Sequence, residues 1–207
     1  IDRLADYNSY FSITTFGMQV KTLQSFTNRP DKLEKSLGKL MRDEDGFSTH
    51  FYDVVDDAIR FSKKKAPQTS GSKFVKRVVV LVTDGFPVGD TVGAKTVIER
   101  ANDAETSIYT IILPSFSRLQ GSKKPLPTPL EVSGLTEKTG GRSFYANEKN
   151  FEPLFNSLAE EVTSSYVLAF YPNEEKRRDG KFHRIKIEVP QGFRVTQNRN
   201  GYQTTNQ

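Results

Sequence analysis

Residues 78–90 read VVVLVTDGFPVGD: an apolar run from Val78 to Val82 ends abruptly in Thr83, Asp84 and Gly85. A strand that is apolar at every position is buried on both faces, which is the habit of parallel sheets covered by helices. In such sheets ligands sit outside the carboxyl ends of the strands. The run therefore places one carboxylate, Asp84, at the rim of a parallel sheet, with Gly85 letting the chain turn sharply away. A carboxylate there is a catalytic group, a ligand for a hard cation, or the cap of its own turn, and the tripeptide alone leaves these open.

The rest of the chain fits an open α/β sheet. Tyr10 to Phe16 and Gln19 to Phe26 are β-prone and flank Gly17, which predicts a hairpin. Asn28-Arg29-Pro30-Asp31 signals a helix start, and Leu33, Leu37, Leu40 and Met41 follow at helical spacing. Val54, Val55, Ala58 and Ile59 form the face of a second helix, behind a polar loop from Arg42 to Thr49. After the strand ending at Val82, Asp90 is placed to cap a helix carrying Val97, Ile98, Ala101 and Ala104. Ser107 to Leu113 is a second buried strand. Leu130 to Thr139 is a short helix stopped by Gly140-Gly141, Arg142 to Ala146 is a strand, and Phe151 to Val162 is the clearest amphipathic helix. The alternation predicts a three-layer, mostly parallel sheet flanked by helices, over residues 1–164.

Beyond residue 164 the pattern changes. Tyr166 to Tyr171, His183 to Val189 and Phe193 to Thr196 read as strands with no helix between them, and Asp179-Gly180 and Gln191-Gly192 mark turns. Residues 165–207 are expected to form an antiparallel β extension.

Composition narrows the function. The net charge is +5, and its densest runs, Lys63-Lys64-Lys65 and Lys176-Arg177-Arg178, fall at helix ends or loops without interleaved aromatics, so no nucleic-acid reader is indicated. No apolar run reaches the roughly 20 residues of a membrane span. The chain has no cysteine and only two histidines, His50 and His183, which leaves little material for a thiolate zinc site or a histidine-based triad. It lacks the Gly-x-Ser-x-Gly elbow and a phosphate-binding glycine loop, so hydrolysis through Asp84 is a minor alternative.

A second feature bears on Asp84. Asp45-Gly46-Phe47-Ser48-Thr49-His50-Phe51 puts a hydroxyl residue in a loop just ahead of a helix. Mg²⁺ takes oxygen ligands and retains waters, and a threonine hydroxyl with a carboxylate suits it. Ser48 or Thr49 also suits a simple helix cap.

The series SITTFGMQVKTLQSFT, GFSTHFYDVVDDAI, VVVLVTDG and SIYTIIL, in this order, resembles the von Willebrand factor type A (VWA) domain. The closing part, from TGGRSFYANEKNFEPLF to DGKFHRIKIEV, is similar to the bacterial VWA-related group common in Acidobacteria. The resemblance implies a metal ion-dependent adhesion site, in which Thr49 matches the threonine of the second loop and Asp84 the aspartate of the third. The first loop of that family, Asp-x-Ser-x-Ser, is absent from this sequence. Asp6-Tyr7-Asn8-Ser9 lacks the serines and precedes a strand instead of following one. The first strand and its loop are expected to precede Ile1 in a longer protein.

What the resemblance implies is a non-enzymatic, metal-dependent protein-binding domain outside the cytoplasm: secreted, periplasmic or at the cell surface. A Mg²⁺ ion, or Mn²⁺ or Ca²⁺, would be completed by an Asp or Glu of a protein partner, provided that the missing loop is supplied. Phe86, beside Asp84, and the insertion after SIYTIIL, with Arg118, Lys123 and Lys124, are the candidate partner contacts. The insertion's charge favours an acidic partner. A structural scaffold whose metal site no longer works is the alternative.

Overall fold

The computed structural model describes residues 9–17, 19–40, 50–67, 75–113, 127–146, 151–164, 166, 168–193, 195, 197 and 201–204. The chain opens with an antiparallel hairpin, β1 (Phe11–Phe16) and β2 (Val20–Thr27), whose ladder carries irregularities between Phe11 and Thr14. Helix α1 (Pro30–Leu40) packs back on this hairpin through Leu33 and Ser36. Proline in the first turn and Asp31 beside it suit a helix start, where an N–H is spare and negative charge is favoured.

Helix α2 (Phe51–Lys65) follows, with Asp53 in its first turn and Lys63, Lys64 and Lys65 in its last, charges that complement the helix dipole. The central sheet is parallel in the order β3 (Arg77–Thr83), β4 (Thr106–Ile112), β5 (Ser143–Tyr145). Helix α3 (Ala94–Asp103) connects β3 to β4. Two short helices, α4 (Pro129–Ser133) and α5 (Leu135–Lys138), precede β5, and α6 (Phe151–Thr163) follows it.

Side chains divide the sheet by the period of two expected of strands. Leu81 and Ile108 join Phe51, Val55 and Ile59 of α2, Val97 and Ala101 of α3, Leu130 of α4 and Leu135 of α5 in one core. Tyr109 and Ile111 face the other way, onto Leu154 and Leu158 of α6. The mixed α/β, three-layer arrangement expected from the sequence is thus present.

Three local expectations change. The run Val78 to Val82 is not buried throughout: Val80 and Val82 are 42% and 45% exposed. Among the described residues β3 pairs only with β4, and the core under α6 is built on β4, so those two valines lie uncovered. The expected single helix from Leu130 is two helices broken at Gly134, which stands in the left-handed region at φ 69°. The third change lies in the C-terminal part. Residue 166 and residues 168–171 belong to no strand, and Tyr166 and Leu168 are mostly exposed. A short helix α7 (Glu174–Arg177) precedes β6 (Phe182–Arg184), which pairs antiparallel with β7 (Gly201–Gln203). Alternation specifies a face for a strand but not its partner, so the sequence pattern could not say which segments pair.

Candidate binding rim at the carboxyl ends of the parallel strands

β3 ends at Thr83, and Asp84 stands at its carboxyl end, partly buried. Its Oδ1 accepts the Phe86 N–H at 3.1 Å, which closes a tight turn. The Thr83 hydroxyl accepts the Gly85 N–H at 3.2 Å, and Gly85 adopts φ 86°, a conformation costly for any residue with a side chain. Asp84 thus does cap its own turn, through one oxygen. Among the described residues no group bonds its Oδ2.

The turn is seated against the start of α4. Leu130 donates its N–H to the Gly85 carbonyl at 3.3 Å. Thr128 is fully buried and caps α4: its hydroxyl accepts the Glu131 N–H, while the Glu131 carboxylate accepts the Thr128 N–H at 2.6 Å. The sequence Thr128-Pro129-Leu130-Glu131 carries this capping box, with proline at the first helical position, and is a signal the reading from Leu130 onward passed over. On the other side, Leu113 at the end of β4 donates to the Thr83 carbonyl at 2.8 Å. The two described ends of the insertion, Leu113 and Thr128, therefore both stand beside the Asp84 turn. Arg118, Lys123 and Lys124 lie outside the described residues. So does Thr49.

Ahead of α2 the cap position is held by His50, not by Ser48 or Thr49, and its side chain makes no capping bond. The acceptor comes from elsewhere in the chain. Asp90 Oδ1 accepts the N–H of Asp53 at 2.9 Å, so Asp90 serves the first turn of α2 and not α3, whose cap position is Gly93. In return Asp53 accepts the N–H of Thr91 on both oxygens at 3.1 and 3.0 Å, the Thr91 hydroxyl at 3.0 Å and the Val92 N–H at 2.8 Å. Burial acts to raise the Asp53 pKa, but the N–H groups of Thr91 and Val92 and the Thr91 hydroxyl outweigh it and leave the pKa below the usual carboxylate value. Asp90 moves the other way: burial raises it, and the neighbouring Asp53 charge adds to the rise.

His50 Nδ1 lies 3.6 Å from Asp53 Oδ2. Its ring also fills the space over Gly89, where a Cβ would come within 2.7 Å of Cε1. His50, Asp53 and Asp90 bring potential ligand atoms within 4.8 Å of one another. Both oxygens of Asp53 and one of Asp90 are already committed to backbone N–H groups, so these residues tie the first turn of α2 to the loop ahead of α3.

A cleft of about 400 Å³ lies between the hairpin turn at Gly17 and the Asp53, Asp56 and Asp57 side of α2. Asp56 is almost fully buried in its wall, with Oδ2 held at 2.6 Å by both Arg60 and Arg100. That bridge joins α2 to α3 and compensates the charge of Asp56.

For the divalent ion implied by the family resemblance, Asp84 offers one free oxygen of the right kind. A magnesium ion needs about six oxygen ligands, some of them water. Among the described residues no other carboxylate and no imidazole is grouped with Asp84, and the nearest side-chain oxygen is the Thr83 hydroxyl, 3.4 Å from Oδ1, so the described residues suit such an ion in kind but do not make up its ligand set.

Neither a family model nor a curated protein matches the chain. Solved structures do match its fold. The conserved hypothetical protein BatB from Bacteroides thetaiotaomicron aligns over 78% of this chain and 82% of its own, at 14% identity and a TM-score of 0.50. An aerotolerance-related membrane protein from Bacteroides fragilis aligns over 79% and 84%, at 14% identity and a TM-score of 0.49. A membrane-spanning protein from Vibrio fischeri aligns over 77% and 81%, also at 14% identity, with a TM-score of 0.34. The likeness to the first supports the α/β fold.

Proposed function

We propose that this chain is a protein-binding module with a VWA-like layout, whose contact face is the rim around Asp84. The observation that carries this reading is the placement of Asp84: a carboxylate at the carboxyl end of a parallel strand, with one oxygen spent on its turn and the other open. The bases of the basic insertion flank the same turn, so Arg118, Lys123 and Lys124 would extend the rim toward an acidic partner, with Phe86 as an apolar contact. Positive charge at a binding rim acts mainly by speeding encounter.

In its finer form the reading is cation-dependent. Asp84 and Thr49 would hold a Mg²⁺ or similar ion, with the Asp-x-Ser-x-Ser loop as the further source of ligands. The ion would supply a positive centre for an Asp or Glu of the partner. The second reading is a structural scaffold without a working metal site, favoured where the full-length protein lacks that loop. Neither reading involves catalysis. Among the described residues no helix is long and apolar enough to cross a membrane. The proposed location, outside the cytoplasm, rests on the family resemblance.

Thermal unfolding of the longer protein that supplies the Asp-x-Ser-x-Ser loop, and of its Asp84→Ala variant, with and without Mg²⁺ or Mn²⁺, tests the reading. The cation-dependent form requires a metal-induced rise in the melting temperature of the parent that vanishes in Asp84→Ala. A rise that survives in the variant sinks the assignment of Asp84, and no rise in the parent selects the scaffold reading.

A further inference from the structure

The loop that carries Asp84 and Phe86 runs from the end of β3 to the start of α3 without regular secondary structure. It is held at its far end by a reciprocal exchange. Asp90, on the loop, accepts an N–H from the first turn of α2. Asp53, in that first turn, accepts the N–H groups of Thr91 and Val92 and the hydroxyl of Thr91. All of these bonds join segments far apart in sequence, and every one passes through one of two carboxylates. The first N–H groups of a helix have no partner within it, so α2 gains an acceptor it lacks, and the loop gains one for two N–H groups outside any ladder. Gly89 meanwhile stands at φ 77° against the His50 ring, so a side chain there would be strained and would displace the ring.

From this geometry we propose that Asp53 and Asp90 are the positioning residues of the rim. They form a two-way clamp that makes the entry to α2 and the loop leaving Asp84 a single mechanical unit. Neither residue touches the partner. Each acts by fixing where the other's segment lies, and the open oxygen of Asp84 and the Phe86 ring are held in place as a result. The inference rests on the rim being the binding face, because only then does the rigidity of this loop serve recognition. Preformed geometry removes an ordering cost that binding would otherwise carry.

Two independent helix or loop caps would look similar in a static structure but would behave differently. If the exchange is a clamp, breaking either half releases both segments. Amide hydrogen exchange in the full chain reads this without any partner or metal, so the clamp can fail while the rim reading stands, and the reverse. The expected result is that Asp90→Ala speeds exchange at Thr91 and Val92 as well as at Asp53, and that Asp53→Ala does the same. The increase should be roughly tenfold or more, the factor that one charge-assisted hydrogen bond is worth. The amides of β4 should hardly change. Asp90→Asn, which keeps an acceptor oxygen, should restore protection at Asp53 and at Val92.

The proposal is overturned if each alanine variant exposes only the amides it bonds directly, or if Asp90→Asn behaves like Asp90→Ala. Should the variants fail to fold, the unaltered chain still decides the matter. The Asp53, Thr91 and Val92 amides must then open together, with one common dependence on low concentrations of urea. Three separate dependences would defeat the clamp.

Discussion

Gly85 is where the Asp84 turn meets the cap of α4, and Gly85→Ala measures how tightly the rim is built. Two costs can be separated. The residue stands at φ 86°, and leaving the right-handed regions costs a residue with a Cβ about 1–2 kcal/mol. The new methyl would also lie 2.7 Å from Thr128 Oγ1 and 2.8 Å from both Thr128 Cβ and Cγ2. Thr128 has no room to retreat, because it is fully buried and locked to Glu131 on both its hydroxyl and its N–H. Overpacking of that kind costs about 1–3 kcal/mol, so the variant should lose about 2–5 kcal/mol in all. Thr128→Gly supplies the control. Glycine in place of threonine at a cap position costs only about a few tenths of a kcal/mol, yet it removes every atom the new methyl would strike. The double variant should therefore recover about 1–3 kcal/mol of the loss and keep the backbone part. Urea unfolding followed by circular dichroism gives the values. If the two changes simply add, to within about 0.5 kcal/mol, the contact between the turn and the cap is not what holds the turn in place.

Two further predictions use other parts of the sheet. Gly141→Ala should cost about 3 kcal/mol or more in the same urea assay, because its Cβ would fall 1.9 Å from the Ile108 carbonyl oxygen and only the backbone could yield; a loss near 1 kcal/mol would mean that the β4–β5 junction tolerates a shift. Burial, with the Glu161 charge adding to it, pushes the Tyr109 pKa from 10.0 up to about 12. Its neutral form is favoured in the folded state, so this stabilising contribution is whole below pH 10 and is lost as the pH climbs through about 12. A phenolate absorbance titration that shows all tyrosines ionising together near their ordinary value would contradict that placement.

Local pattern made most of the α/β layout legible. Helical spacing and the apolar run identify α2, β3, β4 and α6 because each of these elements carries its own periodic apolar face. Burial was harder to read. Val80 and Val82 sit in a run that suggests cover on both sides, yet cover depends on which helix reaches which strand, and α6 reaches β4. The strand expectation at Tyr166 and residues 168–171 fails for a related reason. The stretch has the composition of a strand, but a strand exists only in a ladder, and composition does not name the neighbour. The β6–β7 pair was half visible: His183 lay in an expected strand, while Gly201-Tyr202-Gln203 carries almost no strand signal and is placed by stacking of Tyr202 on His183 and by pairing across the ladder.

The same limit explains why Asp84 could be found from sequence and the clamp behind it could not. Asp84 follows its strand directly, so strand ending and carboxylate are read in one glance. Asp90 stands just ahead of α3, and the rule that an aspartate caps the helix after it assigns it there. What the rule expresses is only that free N–H groups at a helix start need an acceptor, and any oxygen that reaches them in space will do. Gly93 occupies the cap position of α3, and the free carboxylate turns to α2 instead, where His50 provides no capping oxygen. Asp53 completes the exchange from a position that reads as an ordinary first-turn acid. Each aspartate taken alone has a sufficient local explanation, and it is the crossing of their bonds between the start of α2 and the loop from β3 that gives the rim a fixed shape.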